Sequence, residues 1–351
     1  MVNRRHLFVL LLAAFAVFSS ACVIKNKKTT ATLLRTEDTD IAHLKSEVDR
    51  YARVGSMRAK MYLRFEDNSF AQFGSKEVYR EADGEIVVQR PANIFMKVQV
   101  PVIKSDVAQM TSDGEKFRVA ILQDGGDGRY KKFVMGTNDA DYSKLTKNLD
   151  TNGDGTVAVK TVNAFAELRP QHFTDAMLVR PIEDKYTYTQ STIFQVEDEK
   201  SEDKKSIKSS VTRGYYLLDE YKRADTGELK IMRRFWFDRV GGIRLARQQL
   251  FDASGEISSD IVYGAEGDLS NTGEYKKLPL EIQVTRPQEK YSMRLRYQTP
   301  SDVTIGQAYQ ASAFVLQNSW QLEEVDLDKK LQELNAIKQT NTNSNTPSRI
   351  Q

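Results

Sequence analysis

The 351-residue sequence contains one cysteine, Cys22, so no disulfide can form within the chain. Histidine is almost as scarce, with three residues: His6, His43 and His172. His43 and His172 lack a Gly-x-Ser-x-Gly setting and zinc-ligand spacing, and are expected as surface or capping residues. Gly125-Gly126-Asp127-Gly128 lacks the lysine and helix of a phosphate loop. The chain is therefore expected not to be an enzyme and to need no cofactor. Lys+Arg (51) and Asp+Glu (48) nearly cancel and are interleaved, giving a formal charge of +3 and no electrostatic footprint for nucleic acid. No apolar stretch reaches the roughly 20 residues that a membrane-spanning helix requires.

The longest apolar run, Leu7 to Phe18, is nevertheless informative. Arg4 and Arg5 precede it, and Ser19, Ser20 and Ala21 follow it, ending at Cys22. A basic start, a short apolar centre and small residues make a secretory signal. The pattern resembles the lipobox of bacterial lipoproteins, with Ser19 where Leu is commoner. That resemblance implies a signal peptide at 1–21, lipid on Cys22 and a tether at 22–37. Lipidation caps a cysteine that would be a liability in an oxidising compartment, and a second acyl group makes anchoring stable. Val23, in place of Asp, implies an outer-membrane location facing the periplasm. Lys25, Lys27 and Lys28 suit anionic head groups beside the anchor. An ordinary secreted protein is the alternative.

Asp38 to Val54 reads as a helix, with Asp38, Thr39 and Asp40 as caps and Ile41, Leu44, Val48 and Tyr51 at spacings of three and four. The period then changes to two, with Met57, Ala59, Met61, Leu63 and Phe65 on one strand face. Further strands are predicted at 76–80, 85–90, 94–100, 106–111, 116–122 and 130–135, with Asp83-Gly84, Asp113-Gly114 and Asp124-Gly125 as turn signals. Residues 140–170 read as helices around an Asp-rich loop. The charged run 197–208 reads as a solvated hairpin loop. Strands are expected again at 186–196, 211–221, 229–238, 243–251, 257–263, 278–286, 291–298 and 313–317. A short helix at 326–337 and a disordered tail from Thr340 complete the pattern. The fold class is thus mainly β (α+β): one strongly curved antiparallel sheet forming an incomplete barrel, or a barrel, with helices covering the concave side.

The order Arg90-Pro91, Ile94-Phe95-Met96-Lys97-Val98, Pro101 and Ser112-Asp113-Gly114 resembles the lipoprotein-localisation carrier and receptor superfamily. Phe235-Trp236-Phe237-Asp238 with Gly241-Gly242, Gly255-Glu256-Ile257 and Leu278-Pro279-Leu280 extends the likeness. It implies one domain over 38–326 with an insert at about 140–208, and the helix and tail at 327–351. It also implies an apolar half-barrel groove for acyl chains or lipoprotein cargo. The groove candidates are Met61, Leu63, Ile94, Met96, Val98, Phe117, Val119, Leu245, Ile282 and Met293, with a filled core as the alternative. In the receptor branch, the loop after the Pro101 position carries an apolar residue that contacts membrane, and here Val102 and Ile103 stand there. A second function class stays open: a structural or envelope-sensing lipoprotein that binds a protein partner. An open groove favours carriage, and a groove plugged by the insert favours the partner. Asp150, Asn152 and Asp154 match half of a calcium loop, but Thr161 replaces the bidentate acid. No metal is therefore expected beyond a weak calcium site.

Overall fold

A computed structural model describes residues 31–67, 77–78, 81–123, 128, 131–140, 142, 145, 170–198 and 210–344. The expected signal segment, Cys22 with its lysines, Asp124-Gly125 and the calcium candidates Asp150, Asn152 and Asp154 lie outside the described residues, as does most of the charged run.

The helices are α1 (Ile41–Ala52), α2 (Gln171–Met177) and α3 (Leu327–Ser344). The first strands are β1 (Thr32–Leu33), β2 (Ser56–Asp67), β3 (Glu77–Val78), β4 (Ala82–Gln89), β5 (Asn93–Gln99), β6 (Asp106–Asp113), β7 (Lys116–Ile121) and β8 (Lys132–Thr137). Then come β9 (Thr187–Asp198), β10 (Ser210–Arg223), β11 (Leu229–Asp238), β12 (Arg244–Phe251) and β13 (Ile257–Tyr263). The last are β14 (Glu266–Leu269), β15 (Tyr275–Pro279), β16 (Glu281–Arg286), β17 (Tyr291–Tyr297), β18 (Thr304–Ile305) and β19 (Glu323–Asp326). No described helix is long and apolar enough to cross a membrane.

The described residues divide into two compact units, a smaller one of 31–35 with 194–198 and 210–213, and a larger one of the rest. In the smaller, Thr32 and Leu33 pair in parallel with Val211 and Thr212, and Leu33, Phe194 and Val196 are exposed.

The larger unit is mainly β, with helices, in an α+β arrangement. Its strands pair in the order β10–β11–β12–β13–β16–β17–β2–β4–β5–β6–β7–β8, each neighbour antiparallel. β18 takes over from β17 along the start of β2. β19 joins β8 in parallel, so the sheet is mixed rather than wholly antiparallel. A strand that arrives by a long connection instead of a hairpin is free to take either direction. No closed barrel is formed among the described residues.

α1 forms as its sequence predicts. Asp40 is extended and accepts a hydrogen bond from the His43 N–H at 2.9 Å, while Leu44, Val48 and Tyr51 are buried at helical spacing. Other expectations are corrected. Asp83-Gly84 is no turn: it lies inside β4, where Gly84 faces Met61. A Cβ there would come within 2.5 Å of the Leu63 side chain, so glycine serves close packing. The 278–286 strand is broken, with Leu278 in β15 paired to Gly267 and the rest in β16. The 313–317 strand is instead a 3₁₀ turn over Ala311–Phe314. α3 runs to Ser344, so the first residues of the expected tail are helical.

Candidate functional site

Period-two alternation sorts the sheet of the larger unit into faces, and one face is almost continuously apolar. Met61, Leu63, Ile94, Met96, Phe117, Val119, Leu245, Ile282 and Met293 are all buried there in one cluster, and Val98 packs against it partly buried. The sequence-predicted groove residues are thus brought together on one surface. That surface is covered: Leu44, Val48 and Tyr51 of α1, and Phe173, Ala176 and Met177 of α2, belong to the same cluster. One cavity beneath the helices, lined by Tyr51, Met57, Met177 and Tyr263 among others, measures about 20 Å³, no more than water-sized.

α2 belongs to the insert and is not predicted by the sequence. It has no side-chain cap. It is fixed instead by groups around it. The Tyr263 hydroxyl donates to the Ala176 carbonyl at 3.3 Å, and His172 Nδ1 lies 2.6 Å from the Tyr291 hydroxyl. His172 is therefore a buried residue, not the surface one expected. Burial raises the Tyr263 hydroxyl well above its ordinary pKa.

The segment that leaves α2 is held by two arginines. Arg90, at the end of β4, donates to the carbonyls of Leu178 and Val179, and to that of Ala52 at the end of α1 (3.1 Å). Arg233 of β11 donates to the next two carbonyls, Arg180 (2.9 Å) and Pro181 (3.1 Å). Four consecutive carbonyls are thus taken by two guanidinium groups. The following amide, Ile182 N–H, donates to Asp49 of α1 at 2.9 Å.

The two arginines differ in electrostatics. Arg233 is fully buried and makes a bidentate pair with Glu220, its cross-strand neighbour on β10. The Tyr188 hydroxyl donates to the same carboxylate at 2.9 Å, and burial beside it pushes this phenol up to about 12. Among the described residues, Arg90 bonds only neutral carbonyls. Its pKa is lowered by desolvation and then by the charges of Arg233 and Arg180. Asp175 on α2 is pushed up to about 6 by burial, against the pull of Arg180, Arg286 and Arg233.

Sequence reasoning treated Arg90 only as the end of a strand and overlooked Arg233 and Glu220. A signal existed. The parity Phe237, Phe235, Arg233 and the parity Tyr216, Leu218, Glu220 each place a charge where the apolar face continues.

Val102 and Ile103 stand apart from this surface, 91% and 71% exposed. They form the tip of the β5–β6 hairpin. Lys104 N–H donates to the Val100 carbonyl (3.1 Å), and Ile103 N–H to that of Pro101 (2.9 Å). The latter closes a γ-turn with Val102 at φ 72°, a strained conformation for a β-branched residue. An open cleft of about 740 Å³ lies beside it, lined by Lys104, Lys131, Trp320 and Leu322 among others. Among the described residues, no cluster of His, Cys, Asp or Glu is arranged to hold a metal.

No family model matches the sequence, and no curated protein matches it significantly. Solved structures do. The chain is similar to a LolA superfamily protein from Nitrosomonas europaea (11% identity, 78% of this chain and 97% of that one, TM-score 0.38). It is similar to a DUF1329 family protein from Desulfovibrio piger (9%, 78% and 95%, TM-score 0.38). A third is a Vibrio parahaemolyticus domain assigned to outer membrane lipoprotein sorting (10%, 76% and 93%, TM-score 0.37).

Proposed function

We propose that the covered face is a closed acyl-chain site, and that α1 and α2 are its cover. On this reading the protein is a lipid-anchored, non-enzymatic binding protein of the outer membrane, facing the periplasm. Its cargo is lipid or the acyl chains of lipoproteins, held in a half-barrel groove. The observation that carries the reading is the Arg90 contact. A guanidinium joined to carbonyls from the ends of both covering elements ties them down through neutral acceptors alone. Such bonds are weaker than an ion pair and can be given up one by one. Each methylene that replaces the helices on the sheet returns about 0.8 kcal/mol, so long chains are the ligands able to displace them.

The exposed Val102-Ile103 tip fits the same reading as a membrane-contacting loop. Two apolar side chains on a rigid turn enter the acyl boundary with little loss of conformational freedom. Changing Val102→Glu with Ile103→Glu should abolish association with phospholipid vesicles; unchanged association removes the tip from the proposal.

A second reading has its own support. Phe173, Ala176 and Met177 come from the insert and fill the face, as a plug would. A filled face suits an envelope-sensing or structural lipoprotein that meets a protein partner elsewhere.

Native mass spectrometry of the full-length Cys22→Ser protein separates the two. Copurified or added lipid, taken up more readily by Arg90→Gln and lost in a folded Met96→Glu, Val98→Glu variant, supports the acyl-chain site. A lipid-free mass that persists in Arg90→Gln with lipid added rejects it in favour of the partner reading.

A further inference from the structure

The covered face is not uniformly apolar. One cross-strand row reads Phe235, Gln248, Ile261, Val284, Met293. The next row, towards the β16–β17 turn, reads Arg233, Leu250, Ser259 and, one step beyond the Asp260–Thr285 pair, Arg286 and Tyr291. Polar side chains from β12, β13 and β16 therefore lie close together on a surface otherwise made of hydrocarbon. Gln248 is 2% exposed and Ser259 1%. Even so, Gln248 Oε1, Ser259 Oγ, Arg286 Nε and Glu289 Oε2 have no hydrogen-bond partner among the described residues. Glu289 comes from the turn after β16, and its other oxygen accepts from Arg286 at 2.6 Å. α2 covers this region, with His172 against Tyr291.

Buried polar atoms without partners oppose folding, and native proteins hold few of them. Several gathered on neighbouring strands call for a ligand, and the atoms define its chemistry. Gln248 Oε1 and Glu289 Oε2 only accept, Arg286 Nε only donates, and Ser259 does either. Their complement carries at least two hydrogen-bond donors and one acceptor. The pairing at these atoms disfavours an anionic head. Arg286 is neutralised by Glu289 and Arg233 by Glu220, so neither offers a phosphate or carboxylate an uncompensated charge. Two hydroxyls beside an ester carbonyl satisfy the set.

We infer that Gln248, Ser259, Arg286 and Glu289 bind the uncharged, hydroxyl-bearing head of a monoacylglycerol-class amphiphile, whose chain runs along the apolar rows. The inference rests on the acyl-chain reading above and names the ligand class for that site.

The test uses full-length Cys22→Ser protein and three ligands with one oleoyl chain: 1-monooleoylglycerol, methyl oleate and oleate. Each competes against a fluorescent alkyl probe. Monooleoylglycerol should bind at least tenfold more tightly than methyl oleate. Gln248→Leu with Ser259→Ala should erase that preference, leave methyl oleate unchanged and raise the melting temperature, because two unpaired buried groups are gone. Should the double variant fail to fold, Arg286→Lys keeps the charge, removes Nε and should lower the preference too. The inference is overturned by equal binding of all three ligands, by tightest binding of oleate, or by a preference that survives the variants. Binding of none of the three rejects the acyl-chain reading itself, whereas equal binding removes only the head site.

Discussion

α1 and α2 cover the same apolar face, yet their sequences prepare them differently. α1 has 12 residues, a cap at Asp40 and apolar residues at helical spacing. α2 has 7 residues, Pro170 in the capping position and no charge at either end to meet its dipole. A helix that short has negligible stability in isolation, so its form depends on tertiary contacts. Those contacts are its buried side chains on the sheet, Tyr263 and Tyr291, with Arg90 and Arg233 holding the segment that follows it. α1 is thus written locally and α2 is held remotely, which makes α2 the element expected to open first.

This contrast can be broken at its remote end. Arg233→Met leaves Glu220 buried without its partner and frees the Arg180 and Pro181 carbonyls. The expected loss is about 3–5 kcal/mol of unfolding free energy in urea. A loss under about 1 kcal/mol would mean that Arg180, now 3.7 Å from Glu220, takes over the pair. Truncation within the helices sharpens the comparison. Leu44→Ala in α1 should lower global stability by about 2–4 kcal/mol. Phe173→Ala in α2 should accelerate hydrogen exchange over 171–182 well before the strands respond; uniform acceleration would show that the helices open together.

Asp175 gives a smaller, pH-dependent effect. Its folded pKa of about 6 exceeds its ordinary 3.8. Between those values the folded protein binds a proton that the unfolded chain releases, so stability falls as pH rises through the window. The fall should be on the order of 2 kcal/mol, and Asp175→Asn should flatten it in melts at pH 4 and pH 7. Smallest of all, Asp40→Ala removes the α1 cap and should cost about 1 kcal/mol by denaturant titration, with no change in exchange at α2.

The same contrast explains what could be read in the sequence. Ile257–Tyr263 and Leu229–Asp238 were legible as strands because a half-buried strand writes its period into its side chains. All ten groove candidates lie on one face because parity fixes the face. Gly84 misled because glycine marks both turns and close approach, and only Leu63 across the sheet decides between them. α2, the parallel β19 and the Arg233–Glu220 pair stayed hidden because each is determined by residues far away in sequence.

β19 carries one more consequence. Without it, β8 would end the sheet with a bare edge, and bare edges recruit strands from other molecules. The guard at that edge, Glu323–Asp326, pairs in parallel with Lys132–Met135 and adds the Glu323–Lys132 ion pair. It follows β8 by nearly two hundred residues, so the edge is synthesised long before its protection arrives. A chain cut short before Glu323 should therefore fail by joining its own copies edge to edge, while α1 and α2 still cover the apolar face.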